Sequence, residues 1–228
     1  MVPNLCNLFR SRTDMKKIIL TFLVWSGAAP ALEVNITPQV DQFQVRHGER
    51  TVTVLRNQDT SAVMENDYAL TSRPCPPFCA QPMSAGKGVQ TIGEVELVKF
   101  MQTRLADGSG VVIDARTPDW YRRGTIPGSI NIPYKQLNPG QGADDITLED
   151  SLSLLGVTPD DSGWDFSQAK HAVLWCNGPW CGQSPTAIRG MLSIGYPAEK
   201  LLYYRGGMQL WRVFGLPVVE PDGSLIGE

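Results

Sequence analysis

Histidine is nearly absent: two residues, His47 and His171, stand among 228, and neither falls in a motif. A satisfied structural or surface role is expected for both, so no general base is assigned to them. An excess of positive charge is also lacking, the formal net charge being -3. Without a basic surface to neutralise phosphates, nucleic acid is excluded as the main partner, and a small molecule or a thiol protein is expected instead. The sequence has no internal repeat, no low-complexity tract and no apolar run approaching the ~20 residues that span a bilayer. Cysteine is sparse as well. Five residues in two close pairs and one outlier do not make the dense framework of a small disulfide scaffold.

The amino terminus does carry the layout of a targeting segment. Lys16 and Lys17 follow Met15, residues 18–25 form a short apolar run, and Ala29-Pro30-Ala31 supplies the small residues of a cleavage site. Residues 1–31 are therefore expected to be a leader or signal peptide. The mature chain would begin near Leu32, periplasmic or secreted, with no stable membrane span after processing. If Met15 is the start, Cys6 is not part of the protein, and the cysteines that matter are Cys75, Cys79, Cys176 and Cys181.

Along the mature chain, residues 32–72 read as a small β-rich segment, with alternating runs at 43–45 and 51–54 flanking a turn at His47-Gly48. Residues 73–88, crowded with Pro, Gly and Cys, read as a linker. Residues 89–221 form the main domain and 222–228 a tail. In the main domain Thr91 and Glu94 suggest a capping box, with Leu97, Val98, Met101 and Leu105 on one helix face ended by Gly108-Ser109-Gly110. Residues 111–113, 130–132 and 172–175 read as buried strands. Ser184 as cap with Pro185 at the first helical position predicts a helix to Gly195. A further strand at 201–204 precedes a short helix over 208–214, closed by Gly215. Strands alternating with helices imply an α/β fold, a mostly parallel sheet with helices on both faces.

In such a sheet ligands gather at the carboxyl ends of the strands, and Cys176 directly follows one. The loop Cys176, Asn177, Gly178, Pro179, Trp180, Cys181, Gly182, Gln183, Ser184 leads into a helix whose first amides lack internal partners. Those N–H groups and the helix dipole favour a thiolate at Cys176 and make it a nucleophile at neutral pH. The plainer reading is that Cys176 is a buried small residue. Cys181, in the same loop, could form a disulfide with Cys176, resolve an oxidised or sulfur-loaded Cys176, or simply pack the loop. Trp180 could wall a pocket or anchor the loop by burial. Cys75 and Cys79 are a candidate structural disulfide, or a second redox pair exchanging electrons with Cys176 and Cys181. Neither pair has the spacing of a zinc ribbon, so no metal is expected.

Three separated segments together resemble the rhodanese family. Residues 111–121, VVIDARTPDWY, followed by 124–133, GTIPGSINIP, are similar to its first signature, with Thr125 where the family has His; residues 204–211, YRGGMQLW, are similar to its closing one; and Cys176 falls at its catalytic cysteine. The resemblance runs from about Val89 to Val219. It implies a rhodanese-like parallel sheet flanked by helices, preceded here by the β-rich segment. It also implies a sulfurtransferase: a Cys176 persulfide cradled by loop amides, carrying sulfur from a donor such as thiosulfate to a thiol or cyanide, with no metal or organic cofactor. Asp114 and Arg116 are implied to organise the loops beneath the site, as a buried ion pair. Trp211 is implied to be core. The loop departs from the family in having no basic residue between Asn177 and Gln183. The Cys-x5-Arg pattern of related phosphatases and arsenate reductases would need Arg where Gly182 stands, which excludes a phosphoryl clamp. Arg122, Arg123 and Arg205 could bring charge near the mouth or be solvated surface residues, and Arg189 faces elsewhere. Two further readings are a thiol-disulfide protein using Cys176 with Cys181, and a non-catalytic rhodanese-like module that recognises another exported protein through its amino-terminal segment.

Overall fold

In the computed structural model, alternating Val and Thr around His47-Gly48 fold into the expected antiparallel hairpin, β1 (Gln42–His47) with β2 (Arg50–Leu55). The structure describes residues 33–64, 67–161 and 163–226; the expected leader, its cleavage site and Cys6 lie outside the described residues. After the hairpin come β3 (Gln90–Ile92), α1 (Glu94–Phe100), β4 (Gly110–Asp114), α2 (Pro118–Arg122) and β5 (Ser129–Asn131). Next are α3 (Asp145–Ser153), a small hairpin of β6 (Thr158–Asp160) and β7 (Gly163–Asp165), and β8 (His171–Trp175). Then α4 (Gln183–Ser193), β9 (Leu201–Tyr204) and α5 (Gly207–Val213) close the chain.

Five strands pair in the order β3-β9-β8-β4-β5, all parallel. The interiors of the central strands, 111–113 and 172–175, are apolar because both faces are covered. Their side chains alternate between two cores. Ile113, Leu174 and Tyr203 face α3 and α4, meeting Leu152, Ile188 and Met191. Val112, Val173, Trp175 and Tyr204 face the other side, meeting Leu97 of α1 and Trp211 of α5. The β1–β2 hairpin contributes Val45, Val52 and Val54 to this second core, so the amino-terminal segment shares apolar burial with the sheet.

Two helix starts differ from the sequence reading. α1 is capped at Gly93, whose N–H donates to Glu96 Oε2 at 3.0 Å, while the Thr91 hydroxyl donates to the Met83 carbonyl instead of capping. α4 begins at Gln183, with Gly182 at its cap, and Ser184 is inside the helix. In each case a long-range acceptor takes the hydroxyl that local pattern assigned to a cap. α1 runs on through a wider, π-type turn at Met101–Leu105, keeping Leu97, Val98 and Met101 buried as the periodicity predicts. Both histidines have structural surroundings. His47 is buried and its Nδ1 accepts from the Gly128 N–H at 3.0 Å, and His171 opens β8.

Candidate functional site

β8 delivers Cys176 to the carboxyl edge of the sheet, between β4 and β9, and the chain turns there through residues 177–182 into α4. The turn is held from several sides. The N–H groups of Met208 and Gln209, at the start of α5, donate to the carbonyls of Cys176 and Asn177 at 2.9 and 3.0 Å. This close approach requires Gly207: its φ is +56°, and a Cβ there would collide with the Cys176 carbonyl oxygen. Within the turn, the Cys181 N–H donates to the Gly178 carbonyl at 2.9 Å.

Beneath the turn lies a buried polar network. Arg116 donates from Nε and Nη2 to the two carboxylate oxygens of Asp114, at 2.9 and 2.6 Å, and from Nη2 to the Gly124 carbonyl at 2.6 Å. Its Nη1 donates to the Tyr68 hydroxyl at 3.0 Å and to Asn177 Oδ1 at 3.3 Å. The Tyr68 hydroxyl in turn donates to Asn177 Oδ1 at 2.9 Å. Thr125, standing where the family pattern has His, is buried and donates to Asp114 Oδ2 at 3.0 Å. The Asp114–Arg116 pair is therefore linked by hydrogen bonds to the side chain of the first residue after Cys176.

The segment read as a linker crosses the outer side of the turn. The Gln81 N–H donates to the Pro179 carbonyl at 2.8 Å, and Arg205 donates to the Gln81 carbonyl at 2.8 Å. Trp180 donates to Gln209 Oε1 at 2.7 Å, meets the Phe78 ring edge-on at 5.3 Å and lies 3.9 Å under the Arg73 guanidinium. It thus anchors the loop and also lines a cleft with Leu70 and Phe78. Cys75 and Cys79 form a disulfide in this segment. Cys176 and Cys181 are both free thiols, so the disulfide considered between them is not present.

Cys176 is 2% exposed. Burial alone would raise its pKa, but bonds from the Cys181 thiol, from the Ser184 hydroxyl and N–H and from the Gly178 N–H outweigh it and bring the pKa down to about 7. The Ser184 hydroxyl lies 3.1 Å from the sulfur. As a thiol, Cys176 donates to the Cys181 carbonyl at 3.2 Å; on ionisation that bond is lost and the converging donors take over. Cys181 shows the opposite balance. Burial, then its bond to Cys176 and the neighbouring charge, push its pKa well up. One thiol is thus prepared to ionise and the other to stay protonated beside it.

Removing one donor has a readable consequence. In Ser184→Ala, the midpoint of Cys176 alkylation by iodoacetamide should move up from about 7 by roughly one unit, because the thiolate loses a hydrogen bond that the thiol does not need. An unchanged midpoint, measured as rate against pH, would mean that Ser184 is not tuning the sulfur.

The remaining arginines do not converge on Cys176. Arg122 pairs with Asp119, Arg189 donates to Thr186 Oγ1 at 2.9 Å, and Arg123 stacks 5.2 Å from the Trp120 ring. Arg205, read as a mouth or surface residue, instead binds the covering segment. Tyr68, Gln81, Gly207 and Gln209 were not singled out from sequence. Gly207 and Gln209 had a visible signal, since both lie in the closing signature over 204–211; Tyr68 and Gln81 lacked one.

Comparison with known proteins bears on the family. The rhodanese-like domain model matches residues 97–213. An HTH-type transcriptional regulator of Mycobacterium tuberculosis is 30% identical over 142 residues, which cover 62% of this chain and 49% of that protein. The chain thus spans about half the length of this curated relative. Among solved structures, a human single-domain sulfurtransferase is 23% identical, with a TM-score of 0.39 over 55% of this chain and 96% of that one. An As-Sb reductase of Leishmania major is 21% identical, with a TM-score of 0.42 over 60% of this chain and 92% of that one. With the family model spanning half of the sequence, on the parallel sheet that carries Cys176, the chain belongs to the rhodanese-like domain family.

Proposed function

We propose that this chain is a sulfurtransferase whose nucleophile is Cys176. The observation that carries the reading is the convergence of the Ser184 hydroxyl and the Ser184 and Gly178 amides on one sulfur, with its pKa lowered to about 7. The thiolate attacks the outer sulfur of a donor such as thiosulfate, the S–S bond of the donor breaks, and sulfite leaves with the electron pair. The persulfide, stabilised by the same donors, then gives its outer sulfur to cyanide or a thiolate and regenerates Cys176. The partners are a small sulfur-containing substrate or a thiol protein. The leader expected over residues 1–31 would place the reaction in the periplasm or outside the cell.

Intact mass of the reduced protein after incubation with thiosulfate tests this. A gain of one sulfur, ~32 Da, is expected in the parent and in Cys181→Ser, and none in Cys176→Ser. No gain in the parent would remove the proposal.

A second reading rests on Cys181, whose thiol is hydrogen-bonded to the Cys176 sulfur. Its sulfur could attack the inner sulfur of the persulfide, forming a Cys176–Cys181 disulfide and releasing hydrogen sulfide, after which a dithiol must reduce the pair. The raised Cys181 pKa opposes this at neutral pH, since little thiolate is available to attack. The reading therefore predicts sulfide release that speeds up as pH rises and vanishes in Cys181→Ser. Release that is independent of Cys181 would exclude it.

A further inference from the structure

Behind the polar network that holds Asn177 lies a cavity of about 280 Å³, lined by residues of the Tyr68 segment, α2 and α5. Three of its lining residues are arginines, and they are not equivalent. Arg116 has no spare donor: Asp114, Gly124, Tyr68 and Asn177 take them all. Arg212 is different. Its Nε is buried with no acceptor, and among the described residues no carboxylate pairs with it. Arg123, on the same cavity, likewise has no ion pair among the described residues.

Each of these two guanidinium groups lies against an aromatic ring, Arg212 at 5.6 Å from the Tyr68 ring and Arg123 at 5.2 Å from the Trp120 ring. The two rings stand 6.2 Å apart, inclined at 55°. Among the described residues two carboxylates bear on the cavity. Asp114 is committed to Arg116, and Asp67, which lines the cavity, is exposed. Burial lowers the Arg212 pKa; Tyr68 opposes this and Arg116 adds to it, so the cation stands in surroundings that nothing fully compensates.

The Arg212 Nε is itself shut off from the cavity, but the rest of the guanidinium lines it and donates in no hydrogen bond among the described residues, so an anion there supplies the acceptor that the group lacks. The flanking rings add apolar, flat walls that suit a planar organic group better than a hydrated inorganic ion. We infer that this cavity binds a small organic carboxylate, with the carboxylate on Arg212 and Arg123 and the organic part against the cavity-facing sides of Tyr68 and Trp120, whose rings touch each other and form one continuous wall. The site is separate from the sulfur chemistry and does not depend on Cys176.

Isothermal titration of the full chain with benzoate is the test, with benzyl alcohol and sulfate as comparison ligands. Saturable one-to-one binding of benzoate is expected in the parent and in Cys176→Ser. Affinity should fall about tenfold or more in Arg212→Gln and about threefold in the exposed Arg123→Gln. Benzyl alcohol should give no saturable heat. Absence of benzoate binding in the parent overturns the inference, as does unaltered affinity in folded Arg212→Gln. If Arg212→Gln does not fold, unaltered affinity in Arg123→Gln decides against it. Sulfate binding as tightly as benzoate would overturn the assignment of an organic carboxylate.

Discussion

With Cys176 replaced by serine, persulfide formation from thiosulfate at pH 7 falls by about three orders of magnitude or more, while the folded structure is kept. The chemical reason is the difference between a thiol whose pKa is about 7, and so roughly half ionised there, and an alcohol that stays protonated. The hydroxyl fits the same buried space and can still accept from Ser184, so the thermal midpoint should stay within a few degrees of the parent. Rate and stability thus separate, which a structural role for this residue would not allow. Single-turnover mass spectrometry against time gives the rate, and circular dichroism on heating gives the midpoint. Retention of transfer in Cys176→Ser would move the nucleophile elsewhere, with Cys181 the first candidate because it shares the loop. Loss of transfer together with a collapse of the midpoint would say that Cys176 is chiefly a core residue.

The placement of Cys176 was legible because each signal behind it is local. The run of residues 172–175 is apolar at every position, as a strand covered on both faces must be, and the glycines and proline that follow cannot continue it. The start of α4 lies two residues before the one read from sequence, for a reason that matters to the site. Ser184 looks like a cap, but its hydroxyl donates to the Cys176 sulfur, a bond that no pattern within the helix reveals. Thr91 fails as a cap in the same way, drawn to the Met83 carbonyl.

The contribution of the amino-terminal segment was not legible at all. Tyr68 reaches Asn177 across 109 positions of sequence, and Gln81 and Arg73 meet the loop across similar distances. These residues sit in a polar, Pro-rich stretch without helix or strand period, so periodicity is silent there and the family resemblance does not extend to them. What reads as a linker supplies the outer support of the candidate active loop. The expectation of an exported leader rests on the pattern of residues 15–31 alone.

Breaking the Asp114–Arg116 pair should have the largest effect on stability. Burial pushes the Arg116 pKa down, and Asp114 with the Tyr68 hydroxyl pushes it up further, so the guanidinium stays charged wherever the protein is folded. Asp114→Asn removes the countercharge but not the charge, and an uncompensated buried cation costs about 3–5 kcal/mol. For a domain of this size that corresponds to a fall of roughly 10 °C in the thermal midpoint. Adding Arg116→Met should restore at least half of the lost stability, because a buried pair replaced as a whole costs far less than a pair with one member removed. Persulfide formation should not recover with it. Asn177 would keep its bond from Tyr68 but lose the one from Arg116, and the loop that sets the donors around Cys176 would be less fixed. A midpoint for Asp114→Asn within about 2 °C of the parent would mean that water reaches the pair and screens it. A double variant that recovers both stability and rate would mean that the pair supports the fold without positioning the nucleophile.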